Sequence, residues 1–442
     1  MGARTVRFRD VFAVREFRIL WIAQVQSRIG DQFARVALAL LVFERTSSAA
    51  LTALVYAMTL LPPLLTAPLL TGLADRYSRR TVMVVVDLLR AVLAAAMAIP
   101  AVPLPVLAVL VVAATCPQPL FAAARTATTP RILPDERYPV GTSIMVASGD
   151  IAQIAGFALG GLVVGTSGGP HLALGLNAVS FALSAAMLRW GLAEHRPEPG
   201  PGAAGRVGFA LAGIRYVSGD RRLLGLAGML WLFGCFVVPE ALAAPYAKQI
   251  GAGDAEVGLL MAANVVGAAI GAIAVAKFGP TLRRRLIVPM AFATGIPLVA
   301  TMNGPSLPVT LALWALSGLL ANYMVLTQVS FTQSVPDGLR ARAIGFAGAG
   351  LQTAQGLGVV AGGALAETMA PSTAIAVCAA AGSVGALLIG AASGLGAAPQ
   401  QLPEAASAAA PGPPSTSAFE RREPSCATAN TAARERSSRP RV

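Results

Sequence analysis

Four residues in the stretch WIAQVQSRIGDQFARVALAL, residues 21–40, have types and spacing suited to chemistry: Gln24, Arg28, Asp31 and Arg35. Steps of four, three and four place them on one face of a helix. Their neighbours are apolar, so each charge needs a partner or a wet cavity. Further ionisable groups interrupt apolar stretches elsewhere: Asp87 with Arg90, Asp150 near Gln153, and Glu240 after Pro239. Arg28, Arg35 and Arg90 stand against Asp31, Asp87, Asp150 and Glu240, so simple pairing leaves one acid over. A surplus buried acid takes up a proton near neutral pH, which makes Asp31, Asp150 and Glu240 proton-coupling candidates. Plainer roles stand beside these: Asp87 and Arg90 as a local ion pair, Asp31 as a structural bridge between Arg28 and Arg35, and Glu240 as a hydrated group near the outer face. Asn264, Asn322, Gln352 and Gln355 are polar groups in apolar stretches and are further cavity candidates, as are Gln24 and Gln153.

The elements that carry these residues are set by composition. Of 442 residues, 55% are hydrophobic and 12% charged, about half the charge of a soluble domain. Such a chain is a polytopic membrane protein, because hydrocarbon accommodates apolar surface that a soluble fold cannot cover. Twelve apolar stretches follow one another, at roughly 17–43, 48–73, 82–100, 103–128, 140–165, 171–193, 223–247, 256–277, 285–302, 306–331, 343–366 and 372–391. About 20 helical residues cross the hydrocarbon, so each suffices. No alternating pattern appears, which excludes a membrane β-barrel. On this reading Asp31 lies about 21 Å along the first span, somewhat past the midplane.

Most of the 34 basic residues fall in the termini, the segment between spans six and seven, and every second loop. By the positive-inside rule both termini are cytoplasmic. The net charge of +13 is therefore a topology signal, and no nucleic-acid partner is expected. The basic and then apolar N-terminus has too long an apolar stretch for a cleaved signal, so no cleavage is expected. The four cysteines make neither a disulfide framework nor a metal-binding spacing. His171 and His195 lie on opposite sides of the membrane, no catalytic constellation is found, and no Walker loop points to ATP. Neither an enzymatic activity, a metal nor a cofactor is expected.

Two breaks divide the chain into 1–194, a central cytoplasmic segment 195–222, 223–391, and a polar tail 392–442 expected to be disordered. The central segment reads as a flexible linker followed by a short amphipathic helix. The two long parts repeat each other at one constant offset. Pro134 and Asp135 match Pro336 and Asp337, Gln153 matches Gln355, and Gly156, Gly160 and Gly161 match Gly358, Gly362 and Gly363. Two related six-helix units side by side describe a secondary transporter with its site between them.

The loop TGLADRYSRRTVM, with Gly72, Asp75, Arg76, Arg79 and Arg80, resembles the signature loop between helices two and three of the major facilitator superfamily, with Ser78 where glycine is usual. The resemblance implies a twelve-helix, two-half all-α membrane fold and a loop that latches the halves when the inner side is closed. The fifth stretch, GDIAQIAGFALGGLVVG, resembles the glycine-rich motif of the drug:proton antiporters in that superfamily, with Phe157 in place of the motif's proline. SRIGDQ, FAAARTATTPRILP and LNAVSFALSAAML are similar to the branch that holds macrolide and siderophore exporters. What the resemblance implies is a monomeric, proton-coupled exporter of small amphiphilic compounds in a bacterial plasma membrane. The alternatives are a transporter of a specific nutrient or siderophore, and a non-transporting membrane protein.

Overall fold

A computed structural model describes residues 7–70, 77–166, 169–194 and 206–395. Gly72, Asp75 and Arg76, the central segment before Arg206, and the tail from residue 396 lie outside the described residues.

All the elements are helical: α1 (Phe8–Phe12), α2 (Arg15–Thr46), α3 (Ala49–Leu60), α4 (Pro62–Leu70), α5 (Arg79–Met97), α6 (Leu104–Thr115), α7 (Gln118–Ile132), α8 (Arg137–Val164), α9 (Gly169–Gly191), α10 (Arg206–Gly219), α11 (Arg221–Trp231), α12 (Phe233–Phe236), α13 (Val238–Ala241), α14 (Ala243–Gln249), α15 (Asp254–Ala276), α16 (Pro280–Ala300), α17 (Leu307–Leu320), α18 (Tyr323–Ser334), α19 (Asp337–Thr368) and α20 (Pro371–Ser393). Among the described residues nine helical segments are long and apolar enough to cross a membrane. The chain is an all-α, multi-pass membrane protein. The three remaining expected spans are helices too: α2 and α5 carry the ionisable residues, and α19 is diluted by glycine and glutamine.

Helix ends follow local chemistry. The Ser48 hydroxyl accepts from the Leu51 N–H and starts α3, and Asp220 accepts from the N–H groups of Arg222 and Leu223 to start α11. Prolines break several spans. Pro117 separates α6 from α7, and the Cys116 carbonyl accepts the Thr66 hydroxyl at 2.7 Å instead of a helical N–H. The seventh stretch is divided into α11, α12, α13 and α14, with Pro239 and Pro245 inside it, and Glu240 sits on one of the shortest pieces.

Helix α5 shows how the faces sort. Val85, Leu88, Leu89 and Val92 point outward, whereas Met83, Val86, Asp87, Arg90 and Ala94 are buried. Apolar side chains face lipid and the charges face protein. The buried face packs on α9, which packs on α2, while α2 also meets α8 and α3. Among the later helices, α16 packs on α20, α17 and α18, and α11 packs on α18, α19 and α20.

The most extensive contacts between the earlier helices and the later ones are α3 with α19 and α8 with α15. Glycine allows both approaches. A Cβ on Gly161 would overlap the Ala255 carbonyl of α15, and one on Gly363 would overlap the Ala53 side chain of α3. The other glycines of the repeat pack alike. Gly156 and Gly160 lie against Gln32 and Phe33 of α2, and Gly358 and Gly362 lie against Gly234 and Val238 of the seventh stretch. The same glycine thus meets the equivalent neighbour in each copy of the repeat.

Candidate functional site

The charged face of α2 meets a different helix at nearly every turn. Asp31 Oδ1 accepts from the Arg90 guanidinium of α5 at 2.8 Å, and that guanidinium also lies 4.0 Å from the centre of the Phe181 ring of α9. The pair crosses between helices. Arg90 is therefore the partner of Asp31 and forms no local bridge with Asp87, as the spacing had suggested. Asp87 instead accepts the Ser184 hydroxyl of α9 at 2.5 Å, and its other oxygen is buried without a hydrogen bond. A three-residue step brings Asp87 and Arg90 to the same side of α5, but α2 and α9 offer each a better-aimed partner.

One turn earlier, Arg28 donates to the side-chain amide oxygen of Gln153 on α8 at 3.1 Å and is attracted by Asp31 and Asp150. Asp150 is exposed and close enough to Arg28 to feel its charge, so α2 supplies the base that the neighbouring turns of α8 lack. One turn later, the Arg35 guanidinium lies 6.0 Å from the centre of the Tyr56 ring. The Tyr56 hydroxyl donates to Glu240 at 2.7 Å, both side chains being buried. Glu240 is thus hydrogen-bonded inside the protein and is not a hydrated group at the outer face. Asp31, Arg35, Arg90, Asn177 and Phe181 line a cavity of about 50 Å³, well below the size of a drug-sized site.

The other predicted polar groups divide. Gln24 lines a second cavity of about 120 Å³, with its carbonyl oxygen buried and unbonded. Gln352 and Gln355 are half-buried on α19. Asn322 is a packing group: its amide donates to the Ala268 carbonyl at 2.9 Å and to Leu319 at 3.1 Å, fixing the α17–α18 break onto α15. Asn264 is buried where Gly318 packs against its backbone. Of the signature loop, Arg79 donates to the Ala127 carbonyl at 2.6 Å, and Arg80 pairs with Glu194 at 3.4 Å. The ion-pair partner of Arg80 is thus the end of the sixth span, on its own side of the α3–α19 and α8–α15 seam.

Sequence spacing missed two residues. Tyr56 is a lone hydroxyl in an apolar stretch, with nothing nearby in the chain to mark its partner. Arg125 counts among the basic residues taken as a topology signal, yet it lies within α7 and lines the same cavity as Gln24. The signal available was its position inside the fourth apolar stretch.

The arrangement is closed at one end. The Glu367 carboxylate at the end of α19 accepts from the Ser48 hydroxyl at 2.6 Å and from the Ala50 N–H at 2.8 Å, and the Lys248 ammonium lies 5.4 Å from the centre of the Phe43 ring. Toward the other end Arg28 and Asp150 are exposed. A family model described as transmembrane secretion effector matches residues 10–424. The chain belongs to the transmembrane secretion effector family, within the major facilitator superfamily. One relative, the multidrug efflux pump Tap of Mycolicibacterium fortuitum, is 27% identical over 370 residues, 79% of this chain and 88% of that protein. Solved structures share the fold. The nucleoside transporter NupG superposes with a TM-score of 0.71 at 14% identity, covering 85% of this chain and 98% of its own. A bacterial homologue of the human lysosomal transporter Spinster, in an inward-facing and unoccupied conformation, gives a TM-score of 0.64 at 13% identity, over 86% and 95% of the two chains. The family is one of membrane transporters, and a membrane transporter acts on a small-molecule substrate.

Proposed function

We propose that this chain is a proton-coupled exporter of small amphiphilic compounds, working as a monomer by alternating access in a bacterial plasma membrane with both termini cytoplasmic. The helices group into twelve spans: α2, α3–α4, α5, α6–α7, α8 and α9 form one half, and α11–α14, α15, α16, α17–α18, α19 and α20 form the other. The observation that carries the reading is the one-sided seam. Glu367 binds the start of α3 at one end, while Arg28 and Asp150 are open at the other. Between them, Asp31 and Glu240 each connect helices that must move relative to one another or to the site. A change in the charge of any of these acids alters those connections, so protonation can bias which end is open. Similarity to the efflux pump Tap supports the direction.

Expression in cells stripped of efflux pumps tests it. The expected result is lower steady-state accumulation of a fluorescent amphiphile, restored to control levels by an uncoupler. Accumulation above control would make the chain an importer. Orientation is tested separately with single cysteines: at Gly168 and Pro305 they react with an impermeant thiol reagent in intact cells, and at Tyr77 one does not. Labelling at Tyr77 from outside would reverse the topology.

A further inference from the structure

Helix α5 turns a carboxyl and a guanidinium group to the same interior, and neither uses all its hydrogen-bonding atoms. Asp87 is wholly buried; its Oδ2 accepts the Ser184 hydroxyl at 2.5 Å, and its Oδ1 has no hydrogen bond. Arg90, one turn on, holds Asp31 through Nη2 at 2.8 Å, and its buried Nε has no acceptor. The bare atoms are thus an acceptor and a donor three residues apart on one helix face. Such positions stand about 5–6 Å apart at Cβ, and a helical side chain leans over the turn before its own Cα, so Arg90 leans toward Asp87. Helix α9 holds both groups from the other side: Arg90 Cζ lies 4.0 Å from the centre of the Phe181 ring, and Ser184, one turn further along α9, binds Asp87.

Access separates the two acids. The Asp31 side chain is 26% exposed and lines the cavity of about 50 Å³ that Arg90 also touches, whereas Asp87 reaches neither that cavity nor solvent. A proton arriving from water therefore meets Asp31 first. A protonated Asp31 no longer balances Arg90, and a buried guanidinium without a counter-ion is costly. No other acid stands ready around it. Of the helices packed on α5, α6 carries no charge, α7 carries Arg125 and Arg131, and α9 carries His171 and Arg189 near its ends, while the turns of α2 beside Asp31 carry Arg28 and Arg35. Asp87 is the carboxyl group within reach.

We propose that Arg90 is exchanged between two carboxyl groups: protonation of Asp31 sends it to Asp87, and deprotonation of Asp31 returns it. Asp87 is then a positioning residue of the transport cycle, acting through Arg90. The balance is one proton bound at Asp31 for one ion pair moved, with Arg90 charged throughout. The consequence is mechanical. The present pair ties α2 to α5, whereas the exchanged pair lies within α5, so the arrival of a proton frees α2 from the α5 and α9 pair. The inference rests on the proton-coupled reading and adds a residue to it.

A double-mutant cycle on the purified full chain in phosphatidylcholine nanodiscs tests the exchange. At neutral pH Asp87→Asn keeps an oxygen for Ser184 and should lower the melting temperature only slightly. In the Asp31→Asn background the same change strands Arg90, and its shift should be at least about twice as large. The pH profile separates this from a purely structural role. As pH falls from about 7 to about 4, the gap between Asp87→Asn and wild type should widen, because protonated Asp31 leaves Arg90 without a counter-ion in the variant alone. With Arg90→Gln in both proteins the gap should not vary with pH. If the double variant does not fold, adding Arg90→Gln should restore folding, since the stranded cation is gone. Equal shifts in the two backgrounds, a gap constant with pH, or an unfolded double variant that Arg90→Gln does not rescue overturns the exchange. In liposomes, folded Asp87→Asn should lose most gradient-driven accumulation, and normal accumulation would overturn the positioning role. The melts contain no substrate. Non-additive melts in a protein that accumulates nothing under a gradient would therefore remove the transport reading and leave the exchange standing.

Discussion

The Tyr56 hydroxyl of α3 donates to the Glu240 carboxylate at 2.7 Å, tying a helix of the first half to the broken seventh span. Tyr56→Phe removes one atom and leaves the buried carboxylate without that donor. Loss of a partner to a buried acceptor costs about 1–3 kcal/mol, so the variant should melt earlier than wild type. Glu240→Gln should cost less when combined with Tyr56→Phe than the sum of the single changes. Strict additivity in that double-mutant cycle would mean that the two groups do not interact.

Asp31 and Arg90 should respond unequally. Arg90→Leu strands the Asp31 carboxylate and also removes the contact with Phe181, whereas Asp31→Asn keeps an oxygen that still accepts from Arg90. Breaking a buried pair costs about 3–5 kcal/mol, and the partial exposure of Asp31 puts Arg90→Leu at or below the lower end. Thermal unfolding should therefore rank wild type, Asp31→Asn, then Arg90→Leu. If Asp31 also carries the proton, Asp31→Asn stays folded and loses gradient-driven transport. The reverse stability order would contradict the assigned pairing.

The glycines of the seam should control its closure. Gly161→Val and Gly363→Val place side chains where Ala255 and Ala53 now sit. Spin labels at Leu51 on α3 and Thr368 on α19 should report a longer mean distance in Gly363→Val than in the parent, with the protein still folded. An unchanged distance distribution would show that the contact is slack.

The Ser48 and Ala50 hydrogen bonds hold the Glu367 carboxyl below the usual glutamate range. A group lowered in the closed state stabilises that state fully above its ordinary range, and the contribution is lost as pH falls through the lowered value. The same label pair should therefore stay close at neutral pH and begin to separate below about pH 4. Glu367→Gln should abolish the pH response of the distance. A response that persists in the glutamine variant would place the sensor elsewhere.

How much of this was legible in the sequence follows from the range of each interaction. The face of α2 was readable because helical periodicity is local, and so were the glycine motif and its repeat. Partner choice was not. Arg90 selects Asp31 over the nearer Asp87 because three helices converge there, and no spacing within α5 encodes the position of α2. Tyr56 and Glu240 are distant in the chain and meet only through the fold. Arg125 does not stand out, because basic residues near the end of an apolar stretch are already explained by topology. Asn322 has the composition of a cavity group, but the break between α17 and α18 leaves carbonyls that need its amide.

Proton-driven export is tested most directly with purified protein in liposomes, oriented so that the cytoplasmic face is outside, under an imposed gradient with the lumen acidic. The account predicts uphill accumulation of an amphiphilic compound inside, abolished by an uncoupler. In Asp150→Asn, accumulation should fall to the equilibrium level while binding to the purified protein persists, because an amide keeps the shape of the carboxyl group but does not titrate. Accumulation that ignores the gradient, or that Asp31→Asn and Asp150→Asn both sustain with normal proton dependence, would contradict the assignment of coupling to these acids.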